Sequence, residues 1–224
     1  MGGDVIDPAD CKLIDYSFLE TVDGMSLILI SRYEPKKLSL ELTVSIKSND
    51  TAVNMQMSVR NESDDPVKVM AEFPYLSGLG LGSDPESNLG VRLHVFGQSR
   101  GKAWAESGDI YGRHWASQWN AVYEPSTQEA LGMVVKDKNL WNKAIQRYPG
   151  GIMNVFYFDN RQVDADCQIE FPMTQILVYK GDWKQTAVEY GKWFRGSFKL
   201  RRTPQWLKET NMFIGAWIPA PEKH

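Results

Sequence analysis

The sequence contains few of the residues that build metal sites and disulfide frameworks. Only two cysteines and three histidines occur in its 224 residues. Cys11 and Cys167 lie far apart, and neither has other ligands around it at metal-type spacing. We therefore expect no metal site and no cofactor. Two buried thiols are the favoured interpretation, and a disulfide between them is the alternative.

Long hydrophobic runs and dense positive charge are also absent. The longest apolar stretch, Met25 to Ile30, is interrupted by Ser26 and is far shorter than a membrane span. The net charge is -3, and no cluster of Lys and Arg is dense enough to neutralise a row of phosphates. These features argue against a membrane protein and against nucleic acid as a partner.

The N-terminus, Met1-Gly2-Gly3-Asp4, has neither the basic region nor the apolar segment of a signal peptide. The sequence thus leaves two locations open, the cytoplasm or secretion with the signal removed. Its composition, 42% hydrophobic and 24% charged, is typical of soluble globular proteins. The length fits one large domain.

The clearest positive signal is the alternation of apolar and polar residues. Between positions 38 and 46 every second residue is Leu, Val or Ile, and the residues between them are Ser, Glu or Thr. Positions 53–59 repeat this period of two, and Ser48-Asn49-Asp50 supplies a turn between the runs. The pattern predicts an antiparallel hairpin with one buried face.

Further strand-like runs recur at a spacing typical of an all-β sandwich. We expect an antiparallel β-sandwich domain over residues 1–181. The additional predicted strands are Met25 to Ser31, Val67 to Phe73, Val91 to Phe96, Ala130 to Val135, Ile152 to Phe158, Gln168 to Phe171 and Thr174 to Tyr179.

The C-terminal part changes to a helical period. Asp182 and Gln185 resemble a capping box, and the aromatic positions that follow predict an amphipathic helix whose apolar face packs on the core. Thr203-Pro204 predicts the start of a second, short helix. We therefore expect a helical connector over 182–210. Residues 211–224 then read as the opening strand of a further domain.

Several segments together carry a resemblance to a known family. They are Asn61 to Asp65, Phe73 to Leu79, Tyr111 to Gln118, Ala187 to Phe194, and Thr203 to Leu207. These segments resemble the N-terminal galactose-mutarotase-like sandwich, or supersandwich, of large multidomain glycoside hydrolases.

In those enzymes a (β/α)8 barrel follows the sandwich and holds the catalytic carboxylates. The resemblance thus implies an accessory domain that packs beside a barrel, shapes its sugar site and meets carbohydrate through the parent enzyme. It implies no catalytic residue within this chain. An alternative is a stand-alone carbohydrate-binding or mutarotase-like module.

Two long irregular sections are candidates for a functional surface, because long loops in compact domains often carry function. One is Tyr75 to Leu89, and the other is Gly97 to Glu124, which is rich in aromatic residues. Indole rings can stack on sugar rings while polar side chains bind the hydroxyl groups. The predicted sugar-contacting residues are Arg113, His114, Trp115, Gln118, Trp119 and Asn120. The alternative is that these aromatics pack in the core or at an interface.

Candidates for acid and base chemistry are sparse. Glycoside hydrolysis needs two carboxyl groups, but Glu106, Asp109, Glu124 and Asp137 read as solvated loop carboxylates. His94 fits an ordinary sheet position, which leaves His114, with Glu124, as the acid-base pair of a mutarotase-like module. A third hypothesis is an interaction protein that self-associates through exposed apolar surface.

Overall fold

A computed structural model describes residues 6–48, 50–94, 97–104 and 117–199, together with Gln205. Within these residues the regular structure is antiparallel strand, three short 3-10 turns and one helix, α1 (Lys184–Ser197). The strands are β1 (Lys12–Thr21), β2 (Gly24–Tyr33), β3 (Leu38–Lys47), β4 (Ala52–Asn61), β5 (Val67–Leu76), β6 (Leu89–His94), β7 (Gly97–Lys102), β8 (Trp119–Glu124), β9 (Glu129–Lys136), β10 (Lys143–Tyr148), β11 (Ile152–Val163), β12 (Gln168–Glu170) and β13 (Met173–Lys180).

The described strands form two sheets of unequal size. The larger sheet has ten strands in the order β1-β2-β3-β4-β13-β9-β8-β6-β7, with β12 also paired to β4. The smaller sheet has three strands in the order β10-β11-β5. This arrangement confirms the predicted all-β sandwich with a helix at its C-terminal end.

The predicted hairpin is present as β3 and β4. Its register pairs Leu42 with Met57 and Val44 with Met55, so the alternating apolar residues of both strands share one face. Directly paired residues in an antiparallel ladder lie on the same side of the sheet. The period of two therefore identified both the strands and their buried face.

Four strands, β1, β7, β8 and β10, were not predicted. β7 and β8 lie inside the section that the sequence analysis treated as irregular. β8 is covered on both sides, so polar Asn120 and Glu124 are buried together with the apolar residues. When both faces of a strand are covered, the contrast between apolar and polar positions disappears.

Two hydrophobic cores lie on opposite faces of the large sheet. The first lies against the small sheet and contains Met133, Met153, Tyr157 and Phe171 among its buried residues. The second contains Trp119, Ala121, Val134 and others, and Trp183, Ala187 and Tyr190 pack against it. The helix thus covers part of the outer face of the large sheet, over β8 and β9.

Helix α1 is held to the sheet by close contacts. The Thr186 hydroxyl lies 2.7 Å from the Tyr179 hydroxyl, both of them buried. Gly132 leaves room for Thr186, because a Cβ atom at Gly132 would lie 2.0 Å from the Thr186 Oγ1. The Asp182 carboxylate accepts a hydrogen bond from the Lys184 backbone N–H at 2.9 Å. The N-cap residue of α1 is Trp183, without a side-chain capping bond, so the predicted capping box of Asp182 and Gln185 does not form.

The cysteines differ from the favoured prediction. Both are free thiols, with Cys167 exposed and Cys11 partly exposed. The expectation of two buried thiols is therefore wrong. Burial, followed by the nearby charges of Asp10 and Asp7, raises the pKa of Cys11. The predicted second helix and the strand at 211–217 lie outside the described residues, apart from Gln205, and the domain limits at 181 and 210 stay predictions.

Candidate functional site

The aromatic section between β7 and β8 is the candidate surface, and the structure describes both of its ends. Arg113, His114 and Trp115, as well as Glu106 and Asp109, lie outside the described residues. Trp104 precedes the undescribed residues 105–116, and Ser117, Gln118, Trp119 and Asn120 follow them.

The first end of the section is fixed through Asn88, which is completely buried. The Trp104 indole N–H donates to the Asn88 Oδ1 at 3.2 Å. The Asn88 side-chain amide donates to the Leu81 carbonyl at 2.9 Å and to the Glu124 Oε2 at 3.1 Å. Asn88 thus joins the irregular section Tyr75 to Leu89, through Leu81, to Trp104 and to β8.

Glu124 forms the centre of this network. Its carboxylate accepts hydrogen bonds from the Ser87 hydroxyl, from the Asn88 amide, and from the Ser126 backbone N–H and hydroxyl at 3.0 and 2.8 Å. These contacts, the one from Ser87 foremost, lower the pKa of Glu124 to about 2. Its side chain is 3% exposed. The expectation of a solvated loop carboxylate is wrong for Glu124.

Such a carboxylate is unsuited to proton transfer near neutral pH. A general base or acid works best when its pKa lies near the working pH. At a pKa of about 2, Glu124 stays ionised and binds a proton only weakly. The hydrogen bonds that occupy both oxygens of Glu124 also argue against a role as base. His114 lies outside the described residues, so the predicted pairing stays a prediction.

The second end of the section is fixed through Asp137. The Gln118 side-chain amide donates to the Asp137 backbone carbonyl at 3.1 Å. The Asp137 carboxylate accepts from the backbone N–H groups of Asn139 and Trp141, both at 2.7 Å, and from the Lys143 Nζ at 2.6 Å. Burial lowers the pKa of Lys143, and its hydrogen bond to Asp137 opposes that shift. Asp137 is 1% exposed, so this second expected loop carboxylate is also buried.

Trp119 packs between the large sheet and the helix. Its indole stacks on that of Trp183 with centroids 5.9 Å apart and planes 7° from parallel. It is 2% exposed and belongs to the second core. A sugar contact by Trp119 would need this stack to open.

Gln118 and Asn120 are completely buried on the face opposite to Trp119. The Asn120 side-chain amide and the Gln118 Oε1 have no hydrogen-bond partner among the described residues. A buried amide without a partner costs about 1–3 kcal/mol. Of the six predicted sugar-contacting residues, these two and Trp119 are interior, and the contact stays a prediction for Arg113, His114 and Trp115.

The networks at both ends were missed by the sequence analysis. Asn88, Trp104 and Glu124 are separated in sequence and follow no period that would link them. Lys143 and Arg147 on β10 are buried, although charged residues in a strand are expected to face solvent. The only indication in the sequence was the length of the aromatic section, because the ends of a long loop must be held by contacts with the rest of the fold.

In the described part of the chain, no group of three or more His, Cys, Asp or Glu side chains is arranged to hold a metal ion. No helix in that part is long and apolar enough to cross a membrane. His94 lies in β6, as expected for a sheet position.

The sequence matches no known protein family. It also matches no curated protein. Similar solved structures exist, and they share the fold at very low sequence identity. The GH36 α-galactosidase AgaA from Geobacillus stearothermophilus, in complex with 1-deoxygalactonojirimycin, has a TM-score of 0.60 at 10% identity. The match covers 87% of this chain and 31% of that chain.

Two further α-galactosidase structures agree, one of the same enzyme and one of another. AgaA in complex with raffinose has a TM-score of 0.56 at 11% identity, covering 83% of this chain and 28% of that one. The enzyme from Lactobacillus brevis has a TM-score of 0.52 at 12% identity, covering 80% and 26%. This chain therefore spans less than a third of the length of these structures and shares the fold of a part of them.

Proposed function

We propose that this chain is an accessory, non-catalytic β-sandwich domain of a glycoside-hydrolase-type protein, which packs beside a catalytic barrel and shapes its sugar site. The observation that carries this proposal is the unequal coverage of the structural match. The shared fold spans 87% of this chain but 31% of an α-galactosidase. The domain would contact carbohydrate as part of the parent enzyme.

The chemistry of the described carboxylates supports the non-catalytic role. Glycoside hydrolysis needs a proton-donating carboxyl group and a second carboxylate facing the sugar. Glu124 is held ionised by its hydrogen-bond donors, and Asp137 is buried against Lys143. Neither carboxylate is available to a substrate.

The test of the non-catalytic role is an assay of the purified chain on aryl glycosides, including an aryl α-galactoside. We expect no turnover. Turnover that survives repurification would overturn the proposal. The accessory role is tested by immunoblotting source cells with an antibody against this chain. A band far larger than 224 residues supports it, and a band of this size alone contradicts it.

A second candidate is a stand-alone sugar-binding module that uses Arg113, His114 and Trp115. The observation in its favour is that hydrogen bonds hold both ends of the section, a partly buried one from Trp104 and a buried one from Gln118. Fixed ends reduce the entropy that a loop loses when it binds a ligand.

Titration with raffinose and with monosaccharides, followed by tryptophan fluorescence, tests this candidate. A saturable response should disappear in Trp115→Ala and persist in Trp193→Ala, a matched change on α1. No response at millimolar sugar, or an equal response in both variants, would remove the candidate.

A further inference from the structure

The strand β1 is the exposed edge of the large sheet. It pairs with β2, and every one of its ten residues is exposed. Leu13, Ile14, Tyr16, Phe18 and Leu19 are each exposed by half or more. Natural edge strands are usually not both exposed and apolar, because their unpaired backbone groups can pair with a strand of another chain.

Two of these side chains, Tyr16 and Phe18, continue the face that forms the first core. Because paired residues share a face, Tyr16 and Phe18 lie on the same side as Leu29 and Leu27 of β2. That side continues across β3 to β4, where residues pack against the buried core. The continuing residues are Leu42, Val44, Met55 and Met57.

Cover over this face decreases toward β1. Leu38 on β3 and Val59 on β4 are buried, at 2% and 6% exposure. Tyr16 and Phe18 are exposed at 68% and 57%. The apolar face of the large sheet therefore extends beyond the part that the first core covers. It ends at β1, whose outer backbone groups have no neighbouring strand among the described residues.

We propose that β1 pairs antiparallel with β1 of a second copy of this chain, which joins the two large sheets across a twofold axis. The register with β2 is regular from Asp15 to Thr21, after an irregularity at Ile14. Within this regular part, a twofold axis at Ser17 places the two Ser17 residues opposite each other. A symmetric pair of this kind is the commonest form of association between identical chains.

The side chains of β1 complement one another in this register. Tyr16 lies opposite Phe18 of the partner subunit, and Phe18 lies opposite Tyr16 of the partner subunit. Both aromatic pairs are on the exposed apolar face, where cross-strand aromatic pairs stabilise a sheet. Asp15 lies opposite Leu19 of the partner subunit, so no two like charges face each other.

A neighbouring register fits less well. With the axis at Phe18, Tyr16 would lie opposite Glu20 of the partner subunit, and only one aromatic pair would form. Because β1 is complementary to itself about Ser17, a second copy of this chain is the partner that fits this edge. Pairing through the edge also gives both backbones the hydrogen bonds that an edge strand lacks.

Site-specific cross-linking at Ser17 tests the register. Directly opposed residues in an antiparallel ladder have Cα atoms about 4.5 or 5.5 Å apart, within the range of a disulfide. In a background with Cys11→Ser and Cys167→Ser, oxidised Ser17→Cys should run as a covalent dimer. The control is Val22→Cys in the same background, because Val22 is 97% exposed in the turn beyond the strand. Equal cross-linking of both variants, or of neither, would overturn the register.

Sedimentation velocity of the full chain tests the association itself. We expect a dimer whose dissociation constant rises roughly tenfold or more in Phe18→Lys, since symmetry removes both aromatic pairs. Val22→Lys, an equal change of charge and polarity outside the strand, should leave the dimer intact. A wild-type chain that is monomeric at high concentration would overturn the proposal. So would equal weakening by both substitutions.

Discussion

At the scale of single residues, the carboxylate of Glu124 links the fold to pH. Hydrogen bonds from Ser87, Ser126 and Asn88 lower its pKa from 4.5 to about 2. A carboxylate with a pKa lowered by folding stabilises the folded state above its unfolded pKa, and this contribution is lost as the pH falls through the folded pKa. The stability of the wild type should therefore decrease between about pH 4.5 and pH 2.

Replacement of Glu124 by Gln should flatten that part of the stability profile, because the amide does not titrate. The measurement is the thermal midpoint by circular dichroism across this pH range. Glu86→Gln, in the exposed turn beside the network, controls for the change in net charge. An unchanged slope in Glu124→Gln would contradict the role of this carboxylate.

Two buried asparagines should respond in opposite ways to the same substitution. The Asn120 amide has no partner among the described residues, whereas the Asn88 amide is bonded to Leu81, Trp104 and Glu124. Removing an unpartnered buried amide should stabilise the fold by about 1–3 kcal/mol, and removing a partnered one should destabilise it by a similar amount. Urea unfolding of Asn120→Leu and Asn88→Leu measures both effects. A loss of stability in Asn120→Leu would mean that Asn120 has a partner beyond the described residues.

At the scale of elements, the packing of α1 on β9 depends on a glycine. A Cβ atom at Gly132 would lie 2.0 Å from the Thr186 Oγ1. Gly132→Ala should therefore destabilise the protein by roughly 1–3 kcal/mol, because the helix must shift from the sheet. Gly196→Ala is the control, since nothing lies within 4 Å of that position, and it should stabilise the helix by roughly 0.5–1 kcal/mol. Equal urea midpoints for Gly132→Ala and the wild type would show that α1 packs elsewhere.

Elements with one covered face were predictable from the sequence, and others were not. β3 and β4 alternate because only one face of each is apolar. β8 and β10 place Asn120, Glu124, Lys143 and Arg147 in the interior, which reverses the usual meaning of a polar residue. Glu124, Lys143 and Arg147 have hydrogen-bond partners, as Lys143 has in Asp137, whereas the Asn120 amide has none among the described residues.

The candidate site shows the same limit. Sequence alone located the aromatic section but not its anchors, because Asn88 and Glu124 meet only after the strands pair. It also could not separate Trp119, which stacks on Trp183, from the neighbouring Trp115. A tryptophan in a polar stretch has the same sequence pattern whether it packs inside or faces solvent.

At the scale of the whole molecule, the large sheet has a hydrophobic core on each of its two faces. The small sheet covers one face of it, and α1 covers part of the other face. The helix therefore packs on the sandwich in the described structure, and the connector over residues 182–210 stays a prediction. The strands β1 to β3 form the end of the large sheet where the cover is incomplete.

Two truncations distinguish a packing layer from a connector. A chain ending at Lys199 keeps all of α1, so its second core stays covered and its near-ultraviolet circular dichroism should be retained. A chain ending at Gly181 uncovers Trp119, Ala121 and Val134, so its second core would face water. We expect that shorter chain to lose near-ultraviolet circular dichroism and to bind a hydrophobic dye. In the full chain, Trp183→Ala should destabilise the protein by removing the stack on Trp119, and by less than the roughly 3–5 kcal/mol of a fully buried Trp, because Trp183 is only partly buried. A Gly181-terminated chain that melts at the wild-type temperature would contradict the packing role and support a domain limit at residue 181.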